Sequence, residues 1–318
     1  MGSPAIGECR HRRLKSSATL FAYADRPLMA AHAPHPLSPK SINAAAARAA
    51  WPAFVAVDEG LDRLVRWEPA QDRIIWTTPL AMKCRTLQQI SPSRILGATD
   101  TGYFEVDIAD GKILRQVRLE SEGVIAAFRC PNGTTLLTGI NLAGQHGVTF
   151  SEYDNHSQLR RSVCYPGDYV RGSTLTEADT ILFTNNDRVL EGDWSGKIFR
   201  GFSAAGFLHA WKALRLQNGH TIISAGYGAF VVEFDGHCRE VRRWECGSNL
   251  AFVRPFFFGD FTLLADGSLV VCNWLGHGTA LGGTGYTLLQ FHPNGTVVKA
   301  WQDAERTSSL QAVMLLNT

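Results

Sequence analysis

Beyond Trp51 the apolar residues come in short runs, each too brief for a helix and each ended by glycine, asparagine or aspartate. The pattern is cleanest in Leu208–Trp244, LHAWKALRLQNGHTIISAGYGAFVVEFDGHCREVRRW, which divides into HAWKALRL, HTIISA, AFVVEF and CREVRRW. Gln217-Asn218-Gly219 parts the first two runs, Gly226-Tyr227-Gly228 the middle two, and Asp235-Gly236-His237 the last two. Asn-Gly and Asp-Gly tolerate the positive φ of a tight hairpin, so the unit predicts four antiparallel strands.

The unit recurs. CPNGTTLLTG, LTEADTILFT and LADGSLVVCN match LQNGHTIISA, while FEVDIADGKILRQV, LEGDWSGKIFRGF and LLQFHPNGTVVKAW match VVEFDGHCREVRRW. Anchored at Arg66, Glu105, Glu152, Glu191, Glu233 and Gln290, the spacings are 39, 47, 39, 42 and 57 residues. Four strands at that period predict a six-bladed β-propeller over residues 51–318. The final SLQAVMLLNT reads as an inner strand without a blade, and WPAFVAVDEGLDRLVRWEP as a blade without an inner strand. The C-terminal strand is therefore expected to close the ring on the N-terminal blade, leaving no open sheet edge there. Trp76, Trp244 and Trp301, with Phe202, recur at the end of the fourth strand and are expected to fill the space between blades, as are Trp67, Trp194 and Trp211.

Composition changes this picture little and charge changes it at one end. Residues 1–50 hold seven basic and two acidic residues and no strand pattern; the rest holds 24 basic and 27 acidic. We read 1–50 as a flexible extension, with a secretory signal in HRRLKSSATLFAYAD as the alternative. The mildly acidic body lacks the basic footprint that nucleic acid requires, and no apolar run reaches the ~18 residues of a membrane span. Seven cysteines without CxxC spacing point to reduced, structural thiols and favour the cytoplasm over a secreted or periplasmic location. A monomer is expected.

Blade topology sorts the polar residues. First-to-second and third-to-fourth turns share one face and are short; second-to-third loops and blade connections share the other and vary, as binding loops do. His156, His220, His237 and His292 fall in the tight turns, whereas His146, His209 and His277 fall on the long-loop face. With Arg85 and Arg171 these three are the candidate catalytic residues, as acid–base groups beside an anion anchor or as ligands of a divalent metal. Gln145, Asn185, Tyr227, Asp260, Asn273 and Trp274 are candidate substrate contacts on the same face.

The glycine-rich CNWLGHGTALGGTGY, residues 272–286, fits no phosphate cradle. Its third glycine comes one position late for GxGxxG, a strand and not a helix follows, and the Lys and Ser/Thr of a P-loop are missing. No nucleotide cofactor is expected, and the stretch reads as a long loop that could cover the channel mouth, with Trp274 and His277 pointing inward.

The unit HAWKALRLQNGHTIIS…VVEFDGHCREVRRW resembles the repeat of arylsulfotransferase-like propellers, and the turns Asp107–Lys112 and Asp193–Lys197 are similar to quinoprotein-type repeats. The resemblance covers 53–318 as a repeat pattern. It implies a channel histidine that handles an anionic group, for which His209 is the best placed. The residues thus suggest an enzyme or binding protein for a small polar or anionic molecule at the central channel. The alternative is a non-catalytic propeller whose rim docks a protein.

Overall fold

The computed structural model describes residues 51–80, 83–119 and 122–316; the expected extension, 1–50, lies outside the described residues. Six four-stranded antiparallel sheets form the blades of a propeller. Blade 1 holds β1 (Phe54–Asp58), β2 (Arg63–Glu68) and β3 (Arg73–Pro79). Blade 2 holds β4 (Leu87–Ser91), β5 (Arg94–Thr99), β6 (Gly102–Asp107) and β7 (Ile113–Arg118). Blade 3 runs through β8 (Val124–Arg129), β9 (Thr135–Ile140), β10 (Val148–Tyr153) and β11 (Leu159–Tyr165). Blade 4 has β12 (Ser173–Leu175), β13 (Ile181–Asn185), β14 (Arg188–Gly192) and β15 (Ile198–Phe202). In blade 5 follow β16 (Ala213–Arg215), β17 (Thr221–Ser224), β18 (Phe230–Phe234) and β19 (Glu240–Glu245). Blade 6 comprises β20 (Phe257–Leu263), β21 (Leu269–Trp274), β22 (Leu288–Phe291) and β23 (Val297–Trp301).

The last strand, β24 (Leu310–Leu315), pairs with β1 and supplies the inner strand of blade 1, so the ring closes as the sequence predicts. Asp58, fully buried at the end of β1, accepts hydrogen bonds from the Ser308 N–H (2.9 Å) and from Arg63 Nε (3.0 Å). Two distant parts of the chain are thereby tied at the seam.

The sequence anchors all lie on third strands, and in every blade the outer-strand register shifts immediately after them. A β-bulge at the same place in six blades raises the local twist and gives each blade the same curvature. The repeated Asp or Asn of the tight turns has a local cause: its side-chain oxygen accepts the N–H two residues on, as at Asn132, Asp193, Asn218 and Asp235.

Alternating strand residues form six apolar clusters, each between two neighbouring blades. Trp76, Trp244, Trp301 and Phe202 lie within these layers, as does Trp67, 5.6 Å from Trp301. Trp194 packs at the edge of the layer between blades 3 and 4 and also lies under the Arg161 guanidinium, 3.8 Å away. Trp211 belongs to a small seventh cluster with Phe257 and Trp274, separate from the six layers and joining the entry to blade 5 with blade 6. Among the described residues no helix is long and apolar enough to cross a membrane.

Candidate functional site

The long-loop face carries a cavity of about 220 Å³ at the mouth of the ring. Three blade connections build most of its polar wall by the same rule. Arg85, Arg171 and Trp211 each stand two residues before the inner strand of blades 2, 4 and 5, and Lys83, Tyr169 and His209 stand two residues earlier. All six line the cavity. Residues i and i+2 of an extended segment share a side, so a connection running into an inner strand presents both to the channel.

Blade 5 is shaped to allow this. His209 adopts a left-handed φ of 58°, held by Asn186, whose side-chain oxygen accepts the His209 N–H (3.3 Å) and whose carbonyl accepts the Ala210 N–H (2.8 Å). Gly226 lies against the same segment, and a β-carbon there would come within 2.2 Å of the His209 carbonyl oxygen. Blade 6 contributes Phe257 and Trp274. Phe257 packs edge-on to Trp211 (5.4 Å, 90°), Trp274 (5.4 Å, 80°) and Tyr227 (4.8 Å, 84°).

The electrostatics of the wall are unusual. Neither Arg85 nor Arg171 forms an ion pair among the described residues; Arg171 donates to the Val170 carbonyl and lies over the Tyr169 ring at 4.4 Å. Burial, and then the positive charge of Arg171, lower the Arg85 pKa from its usual value. The same two causes lower His209, which is therefore a neutral imidazole at neutral pH. Its ring lies 4.8 Å from Tyr169 and 5.4 Å from Tyr227. Burial raises the Tyr169 phenol. The Tyr169 hydroxyl and the Trp274 indole N–H are buried donors without a partner among the described residues, each worth ~1–3 kcal/mol of unrecovered desolvation. Cys84, on the same wall, is an inert thiol pushed up to about 12 by burial.

Of the residues singled out from sequence, the fold brings together Arg85, Arg171, His209, Tyr227, Trp274 and His277. His277 stands at the rim, its side chain 72% exposed, with Nδ1 2.6 Å from Glu59 Oε1 on blade 1. The loop that carries it rests on that blade: a β-carbon on Gly60 would meet the Gly278 carbonyl oxygen at 2.6 Å.

The others lie elsewhere. His146 is exposed and outside the cavity, to which blade 3 contributes no lining residue, and Gln145 reaches Ser162 at 3.4 Å. Asn185, at the end of β13, is also outside. Asp260 is buried against Lys212 Nζ (2.7 Å), and the Asn273 side chain is used up on four backbone groups, among them the Phe257 N–H. These two therefore shape the site without facing a ligand. The three-histidine metal set is not formed: among the described residues no three His, Cys, Asp or Glu converge as a metal site.

No protein-family model and no curated protein matches the chain. Its structural relatives are β-propellers. A protein of unknown function from Bacteroides caccae superposes with a TM-score of 0.69 at 18% identity, over 84% of this chain and all of that one. The WD40 propeller domain of Doa1 gives 0.55 at 13%, over 82% and 81% of the two chains. A catalytically inactive histidine-to-alanine variant of virginiamycin B lyase from Staphylococcus aureus, solved with quinupristin, gives 0.54 at 12%, over 81% and 86%. At such identities the likeness is one of fold, and it spans an enzyme and a WD40 domain alike.

The sequence pattern does not single out Tyr169 or Phe257, and it groups Trp211 with the blade-packing tryptophans. One signal could have found Tyr169 and Trp211: the position, two or four residues ahead of each inner strand, that also holds Arg85, Arg171 and His209. Phe257 is the first residue of an inner strand and has no counterpart of its kind at that place in β4, β8, β12 or β16.

Proposed function

We propose that the protein binds, and acts on, a small anionic molecule in the cavity at the channel mouth, with Arg85 and Arg171 as anion anchor and His209 as a neutral acid–base group. The observation that carries this reading is the arginine pair itself. Two neighbouring guanidiniums, partly withdrawn from water and with no ion pair among the described residues, repel each other, and a bound oxyanion relieves that with bidentate, charge-assisted hydrogen bonds. A volume below the ~300 Å³ low end of drug-sized sites suits a small ligand. The likeness of the repeat to arylsulfotransferase-like propellers supports an anionic group beside a channel histidine. The lyase relative supports histidine chemistry on this fold, since its histidine-to-alanine variant is inactive.

Calorimetric titration with acetate, phenylacetate and inorganic phosphate tests the reading. At least one binds the native protein, and the Arg85→Gln/Arg171→Gln double variant loses about tenfold or more in affinity. Binding of all three unchanged in the double variant, or no binding by the native protein, ends it. A second reading, a propeller that docks a protein at its rim, is favoured by Phe252 and Phe256, 40% and 38% exposed on the connection into β20. Alanine substitution of both would then abolish partner capture while leaving anion binding intact.

A further inference from the structure

The cavity is divided. Its cationic arc comes from blades 2 and 4, through Arg85 and Arg171, and its aromatic arc from blades 5 and 6, through Trp211, Tyr227, Phe257 and Trp274. The aromatic arc stands apart from the six large inter-blade layers: Trp211, Phe257 and Trp274 form a small cluster of their own between blades 5 and 6, at the cavity wall. Arg171 bridges the arcs, its guanidinium 6.0 Å from the Trp211 ring.

The charge within reach is also limited. Glu59 lines the same cavity and acts electrostatically on Arg85, so the two guanidiniums and this carboxylate leave one positive charge unmatched. Lys83 and Asp62, both exposed, offset each other at the edge. A ligand that completes this wall carries one negative charge at one end and a flat apolar body at the other, and about 220 Å³ admits little more than one ring.

We infer that the ligand is a single-ring aromatic carboxylate, its carboxylate held by Arg85 and Arg171 and its ring received edge-to-face by Phe257, Tyr227 and Trp274. The inference rests on the anion reading above and names the ligand class for the same site. Aromatic rings prefer that edge-on arrangement, which Phe257 already makes with three neighbours, and a saturated ring of equal size cannot make it.

Titration calorimetry with phenylacetate, cyclohexylacetate and acetate separates the contributions. Phenylacetate binds the native protein about fivefold or more tightly than cyclohexylacetate, and acetate is weaker than both. Tyr227→Leu and Phe257→Leu each reduce the preference for phenylacetate over cyclohexylacetate to less than about twofold, with both ligands still dependent on the arginines. Equal affinity for the two ring acids, lost in the Arg85→Gln/Arg171→Gln variant, overturns the aromatic assignment and leaves the anion anchor standing. Phenylacetate binding that survives the arginine substitutions overturns both. If Phe257→Leu does not fold, the ranking of the three acids on the native protein decides the matter by itself.

Discussion

On the tight-turn face, Glu105, Glu152, Glu191 and Glu233 are buried at the bulges of four third strands, and each has an arginine directly across on the outer strand: Arg115, Arg161, Arg200 and Arg242. A second cation often joins from the following inner strand, as Arg129 does at Glu105 (2.8 Å) and Arg215 at Glu191 (2.5 Å). Blade 1 reverses the sign, with Arg66 at the same place donating to the Ile108 carbonyl of blade 2 (3.0 Å). On the long-loop face, Arg85 and Arg171 are also half-buried, yet they face each other without an ion pair among the described residues. One residue type thus staples neighbouring blades where a carboxylate meets it, and in the function proposed above it binds an external anion where none does. Unsatisfied charge is costly to hold, and function is the usual reason to hold it.

Substitutions that treat the faces alike should therefore behave differently. Glu191→Ala takes the carboxylate from Arg215 and Arg200 and removes one of the two partners of the Thr180 hydroxyl, which lies 2.7 Å from Glu191. We expect a loss of about 2–3 kcal/mol in urea denaturation, below the ~3–5 of a fully buried pair because both arginines keep contact with water. Arg85→Gln relieves the repulsion from Arg171 and breaks no ion pair among the described residues, giving up only the longer-range attraction of Glu59. It should change stability by less than about 0.5 kcal/mol, or raise it. Equal losses at the two sites would erase the distinction between staple and anchor.

The architecture was legible because it is written six times. The anchors mark the bulges, the Asx turns mark the hairpins, and an orphan inner strand at one end answers an incomplete blade at the other. The site is written once and scattered over connections from different blades, so only side chains with conspicuous chemistry stood out. His146 looked equivalent to His209 because both lie on the long-loop face, but the cavity takes no residue from blade 3. Asn273 and Asp260 looked available because polarity is visible in sequence, whereas hydrogen-bond saturation is not. Trp211 looks structural in sequence because four other tryptophans, Trp67, Trp76, Trp244 and Trp301, are.

Acid separates the faces by pH. Asp235 on the tight-turn face is held down to about 2 by the Arg239 backbone N–H and then by its guanidinium, against an ordinary 3.8. Its contribution to stability is present above 3.8 and is lost as pH falls from there through about 2. His209 titrates below its ordinary 6.5 because of burial and Arg171, so the unfolded chain takes up its proton first. That contribution is present above 6.5 and is lost as pH falls through the lowered folded value. Stability measured across pH should accordingly begin to decline below 6.5 because of His209 and decline further below 3.8 because of Asp235, and His209→Gln should remove the upper decline alone. A bound anion raises the His209 pKa, so phenylacetate should shift the upper decline toward 6.5 or abolish it.

The smallest effect is expected where the two kinds of contact meet. His277 pairs with Glu59 as a staple does, but at the rim, with most of its side chain in water. Such a pair contributes about 0–1 kcal/mol, the edge-on contact of the exposed His277 ring with Trp274 (4.6 Å) adds little, and the loop beneath keeps the packing of Gly278 on Gly60. His277→Ala should cost less than about 0.5 kcal/mol. It also frees Glu59 to compete for Arg85, so phenylacetate affinity should fall by no more than about threefold. Glu59→Gln should move affinity the other way, because it removes the carboxylate that offsets the arginine pair. A loss of tenfold or more in His277→Ala, read by the same titration, would instead make this histidine a ligand-contacting group, and the boundary between rim and site would have to move outward to include blade 6's loop.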